Sequence, residues 1–232
     1  MNRVLGKMTP VDLSQTIRQD MPHWPGDPGT HIRQKSDVAQ DGYFLNELTI
    51  GEHSGTHIGA PKHFGGEFGV DAIPPDQLIR PGVKINMARQ AASNPDYLLS
   101  LQDVFEWEAE HGKILNRCLI LVQTDWSERW PASDDYFGTD NDGMHFPGVS
   151  VEATEFLLKQ RDIVGIGIDT AGVDGGQSND YLANIQLARH NAYHLENLAQ
   201  LKSIGDKDFF VFVGALKIKV GSGSPCRVFA FF

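Results

Sequence analysis

Three short runs constrain this chain most: Cys118–Val122, Ile163–Ile168 and Phe209–Val213 are apolar or glycine at every position. None is long enough to span a membrane as a helix. An unbroken apolar run of this length suits a strand covered on both faces. The candidate strands are therefore Arg117–Gln123, Ile163–Ile168 and Phe209–Gly214, with Leu45–Ile50 as a fourth. Helical signals lie between them. Ser100 with Asp103 reads as a capping box, followed by Leu101, Val104 and Phe105 on one stripe. Ser150 caps a second helix, with Glu152 in its first turn and Phe156 and Leu157 turned inward. A third helix is expected over part of Tyr181–Leu201. Strands interleaved with helices give an α/β domain with a mixed sheet. No repeat, low-complexity tract or long linker divides residues 1–232, so the chain reads as one domain.

Charge and cysteine content exclude several function classes. Thirty acidic side chains against 20 basic ones give a net charge of −10, which repels phosphate backbones, so no nucleic-acid partner is expected. No membrane partner is expected either. Cys118 and Cys226 both sit in apolar, strand-like stretches, and two thiols cannot build a secreted disulfide framework. Met1–Gln15 mixes Arg3, Lys7 and Asp12 with apolar residues and has no hydrophobic core of a signal peptide. The expected compartment is the cytoplasm.

Chemistry concentrates in the histidines. Three of the nine, His53, His57 and His63, fall within His53-Ser54-Gly55-Thr56-His57-Ile58-Gly59-Ala60-Pro61-Lys62-His63. Imidazoles ligate metals and transfer protons near neutral pH. Pro61 stiffens the turn before His63. No nucleophile elbow, H-E-x-x-H or P-loop is present. The glycines of Gly165–Gly176 do not match a dinucleotide-binding spacing and read as turns. Asp134, Asp135, Asp140 and Asp142 lack an EF-hand's spacing and read as a solvated loop.

The histidine stretch resembles the cyclase family that includes bacterial kynurenine formamidases and isatin hydrolases, whose motif is H-x-G-T-H-x-D-x-P-x-H. Further blocks follow in the family's order: Asp12-Leu13-Ser14, Trp24-Pro25-Gly26-Asp27-Pro28, Phe146-Pro147-Gly148-Val149-Ser150, Gly167-Ile168-Asp169-Thr170 and Glu196-Asn197-Leu198. The resemblance implies a swivelling β/β/α-type fold and a metal-assisted hydrolytic site. It also implies a homodimer or homotetramer, with an arm over about residues 10–30 reaching a neighbouring subunit. In such relatives the first two motif histidines and the Asp bind a divalent metal. A later His and the Glu of E-N-L add ligands, and the third motif His works as acid–base.

Two of these positions differ here. The motif Asp is Gly59, and the later His, expected twelve residues before Glu196, falls on Asn184. His190 and His194 are close by, but on a helix they need not face the same way. The count left is two imidazoles and one carboxylate. No cofactor is therefore expected beyond at most one weakly held divalent metal (Zn or Mn) on His53 and His57. His63 and Glu196 are the expected catalytic pair, with Trp24, His53, His57 and Asn184 contacting a small-molecule substrate. The leading reading is hydrolysis of a cyclic or aryl amide or lactone by His-based acid–base chemistry. The alternatives are a metal-independent isomerase or cyclase of secondary metabolism, and an inactive binding or scaffold homologue.

Overall fold

A computed structural model describes residues 8–232. The first seven residues of the Met1–Gln15 stretch read above for targeting lie outside the described residues. In chain order the strands begin with β1 Pro10–Asp12, β2 His31–Ser36, β3 Leu45–Thr49, β4 His57–Gly59, β5 Ile79–Asn86 and β6 Leu98–Leu99. They continue with β7 Leu119–Gln123, β8 Gly148–Val149, β9 Gly165–Ile168, β10 Tyr193–Glu196, β11 Phe209–Ala215 and β12 Gly223–Phe231. The helices are α1 Val38–Asp41, α2 Ala88–Ser93, α3 Leu101–His111, α4 Ser133–Phe137, α5 Val151–Arg161 and α6 Leu182–Arg189.

The main sheet runs β1-β12-β11-β5-β7-β9-β10-β4 and closes through a β12–β4 pairing. The strands β5, β7, β9 and β10 are parallel neighbours, and the remaining pairings are antiparallel. Closure depends on the length of β12. Its first residues, Gly223–Pro225, pair with β4, while Phe229–Phe231 pair with β1 farther along. The result is the expected mixed sheet, rolled into a closed barrel.

Alternation along β7 divides the core in two. Cys118, Ile120 and Val122 face the layer of α3, α5 and α6, where Val104, Trp107, Leu157 and Leu187 are buried. Leu119 and Leu121 point the other way, toward Ile58, Leu195, Val211 and Val228 inside the barrel. This strand is covered on both faces, as its unbroken apolar run requires. The run Phe209–Val213 behaves differently. Phe209, Val211 and Val213 are buried, but Phe210 and Phe212 remain 49% and 37% exposed. β11 lies on the antiparallel side of the barrel, and its two outward side chains meet solvent.

Both N-caps read from the sequence form. Ser100 accepts from the Asp103 amide while the Asp103 carboxylate accepts from the Ser100 amide, and Ser150 accepts from the Ala153 amide. On α3 the buried pair is Val104 and Trp107, whereas Phe105 is largely exposed. The third helix is shorter than expected. It ends at Arg189, and the chain turns into β10. The expected strand Leu45–Ile50 forms as β3, but among the described residues it pairs only with β2, in an exposed hairpin outside the barrel.

Within the chain, parts of residues 10–30, read above as an arm toward a neighbour, are anchored while Thr16–Asp20 are exposed. β1 pairs with β12, Leu13 is fully buried, Ser14 bridges to Leu198, and Trp24 packs edge-on against Phe137 and Phe146. Cys118 and Cys226 are unpaired thiols, and burial pushes Cys118 up to about 12, far from a reactive thiolate. Among the described residues, no helix is long and apolar enough to cross a membrane.

Candidate active site

The site forms where β4 and β10 run antiparallel. Their register sets His57 opposite Glu196 and Gly59 opposite His194. Side chains two apart on a strand share a face, so His194 and Glu196 project together. The intervening Leu195 turns into the barrel. Here the structure corrects the sequence reading: His194 is on a strand and not on a helix, and it faces the site. The count of two imidazoles and one carboxylate is short by one imidazole.

The surrounding hydrogen bonds fix which ring nitrogens are free. His57 Nδ1 lies 3.0 Å from the Gly55 carbonyl, which can only accept, so this nitrogen carries the proton. His57 Nε2 then presents a lone pair; it lies 3.2 Å from Glu196 Oε2 but makes no hydrogen bond. Ser222 Oγ donates to Glu52 at 2.6 Å and so accepts from His53 Nε2 at 2.9 Å. That leaves His53 Nδ1 buried and without a partner. Ligand-capable nitrogens of His53, His57 and His194 all lie within 4.8 Å of one another. Two inward lone pairs, each set by an outer hydrogen bond, are the arrangement metal-ligating histidines require. The donor set therefore fits a divalent cation.

His63 follows Pro61 in a one-turn 3-10 helix ended by Gly65, whose φ of 82° favours glycine. Its ring stacks on His53 with centroids 3.8 Å apart. Four imidazoles in one pocket cannot all be charged. Burial, reinforced by the neighbouring histidines, takes His53 down to about 2, and burial takes His194 down to about 4. His63 is lowered by the same cause, with Glu196 pulling the other way. Burial by itself would raise the Glu196 carboxyl, but charge coupling to His194 and the donating Val173 amide hold it at about 2. The pocket at neutral pH thus holds an ionised carboxylate and uncharged His53, His63 and His194.

These groups line a cavity of about 300 Å³. Its walls are aromatic: Trp24, Phe64, Phe137 and Tyr181 all face it. All six residues expected from the sequence line it: Trp24, His53, His57, His63, Asn184 and Glu196. Asn184 is buried with its Oδ1 unpartnered, while its amide donates to Asp174. Sequence reasoning missed Asp174 as well as His194. Asp174 accepts from the amides of Ala183 and Asn184 at the start of α6, and burial raises it to about 6. It lies in the glycine-rich stretch read as plain turns, where an acidic residue followed by Gly175-Gly176 was the available signal.

Comparison with known proteins follows this geometry. The family described as "Putative cyclase" matches residues 11–175. The isatin hydrolase of Roseibium aggregatum is 34% identical, covering 98% of this chain and 88% of that protein. The chain belongs to the cyclase family. Another member, the kynurenine formamidase of Bacillus cereus, is 26% identical over 94% of both chains. The solved structure of isatin hydrolase A from Ralstonia solanacearum superposes with a TM-score of 0.92 at 33% identity, covering 99% of this chain and 94% of that one. Cyclase-family membership agrees with the retained His53, His57, His63 and Glu196, which the structure brings around one cavity.

Proposed function

We propose that this cyclase-family hydrolase opens the amide bond of a small cyclic or aryl amide, isatin and N-acyl anilines being the chemical type. One observation carries the reading: four imidazoles and an ionised carboxylate meet in a cavity of about 300 Å³ that four aromatic side chains also line. Flat aromatic walls bind an aryl ring and exclude bulk water. The histidine end then meets the attached carbonyl.

A divalent cation bound there would polarise that carbonyl and lower the pKa of an attacking water toward ~7. The chain's own groups handle the protons. His63, uncharged and reachable from the cavity mouth, accepts the proton of the attacking water and passes it to the leaving nitrogen as the C–N bond breaks. Glu196, ionised and braced by the Val173 amide at 3.1 Å, holds the water or the substrate N–H in line. Asn184 Oδ1, unpartnered in the protein, can accept the amide N–H of the substrate. Water supplies the oxygen of the new carboxylic acid, which releases its proton to solvent as it ionises, and the amine leaves neutral.

The test is turnover on a panel of cyclic imides and amides, N-acyl anilines and aryl lactones. Ring opening or aniline release on the aryl amides, with weak activity on aliphatic ones, is the expected result. Turnover of none of these would defeat the reading.

A further inference from the structure

We propose that His194 has taken over the ligand place of the side chain absent at Gly59, so that the cation of this chain is held by His53, His57 and His194. The proposal rests on the pocket being a metal-assisted hydrolytic site, and it specifies what holds the metal. Gly59 and His194 sit directly opposite in the β4–β10 register. A Cβ built on Gly59 would lie 1.8 Å from His194 Nε2 and 2.1 Å from Cε1. The imidazole therefore occupies the space into which any residue at position 59 would project. An aspartate at 59 and this His194 rotamer exclude each other, so glycine at 59 is what admits the ring.

His53 is seated in a similar way. A Cβ on Gly223, which pairs with Gly59 from the other side, would come within 2.5 Å of His53 Cε1. Two glycines on adjacent strands thus open the floor for two imidazoles, and the His57 ring lies edge-on to both. The lone pairs on His53 Nδ1 and His57 Nε2 have no partner within the protein. A buried lone pair left without a partner is costly. A cation shared among three nitrogens within 4.8 Å of one another removes that cost for both. Exchanging a carboxylate for a neutral imidazole also removes one negative charge from the ligand set. Three imidazoles favour zinc over the harder manganese and leave the ion more strongly electrophilic.

The experiment is a double-mutant cycle read by metal content and not by turnover. Zinc per chain is measured by elemental analysis, zinc affinity by calorimetry, and geometry by the visible spectrum of the cobalt(II) form. Wild type should hold one zinc per chain. His194→Ala should weaken zinc by more than the ~10–100-fold that loss of a merely supporting hydrogen bond causes. Gly59→Asp combined with His194→Ala should recover most of that loss, because the carboxylate then has the vacated space. Should His194→Ala not fold, zinc bound stoichiometrically by the double variant supports the exchange. A His194→Ala protein with wild-type zinc affinity, a folded double variant with no recovery, or a wild type that binds neither zinc nor cobalt would each overturn it. Turnover plays no part, so failure of the amide-hydrolase reading would show separately, as zinc held at three imidazoles by a protein inactive on the substrate panel.

Discussion

His63 stands at the cavity mouth with its ring against His53 and contacts to Phe64 and His194 that orient it without holding it by hydrogen bonds. A positioned acid–base group contributes about 10²–10⁴-fold. His63→Ala should lower kcat by that factor while the melting temperature stays near wild type; undiminished kcat would remove His63 from the mechanism. Asp169 gives a second test, this one of stability. Its Oδ1 accepts from the Thr124 amide and hydroxyl, but Oδ2 is buried without a partner, and burial raises the carboxyl to about 7. An unfolded Asp ionises near 3.8. Between those values the folded chain binds a proton that the unfolded chain does not, so stability falls as pH rises. Asn at this position imitates the protonated acid. Asp169→Asn should therefore gain on wild type between about pH 4 and pH 8, by a few kcal/mol at roughly 1.4 kcal/mol per unit. Parallel denaturation curves across that range would contradict this. At the same scale, the histidine cluster was legible because its spacing is local. Asp174 was not, because its role depends on α6 starting directly above it.

The boundary between α6 and β10 decided what the sequence could say about the site. Tyr181–Leu201 carries apolar residues at spacings that suit a helix throughout, and only the barrel's need for a neighbour to β9 pulls Tyr193–Glu196 into a strand. Once that segment is extended, His194 and Glu196 share a face, and a residue set aside on helical geometry becomes central. The long-range β4–β10 register that pairs Gly59 with His194 has no local signature at all. The caps of α3 and α5, by contrast, were fully readable, because each depends on residues three apart. Ser100→Ala removes the α3 capping box, and Ser100 does not line the cavity. Chemical denaturation should show a loss of about 1 kcal/mol at unchanged m-value, with kcat unaltered. A change in kcat would mean that α3 is coupled to the site.

At the level of the whole molecule, one projection exposes a cluster of large apolar side chains. Among the described residues, the β2–β3 hairpin pairs with no other strand, and Tyr43 and Phe44 at its turn are 57% and 58% exposed, with Leu45 and Leu48 beside them. Such a patch marks an interaction surface. We expect a homodimer or homotetramer formed through this hairpin. Light scattering should give a multiple of 25.7 kDa, and Phe44→Glu should shift it toward the single-chain mass; a wild type at 25.7 kDa at micromolar concentration would contradict this. The central claim is that the cavity adds water across an aryl amide, and it is tested most directly by turnover in ¹⁸O-labelled water followed by mass spectrometry of the product. Hydrolysis predicts one labelled oxygen in the product carboxylate for every amide bond opened. A product isomeric with its substrate and free of label would contradict it.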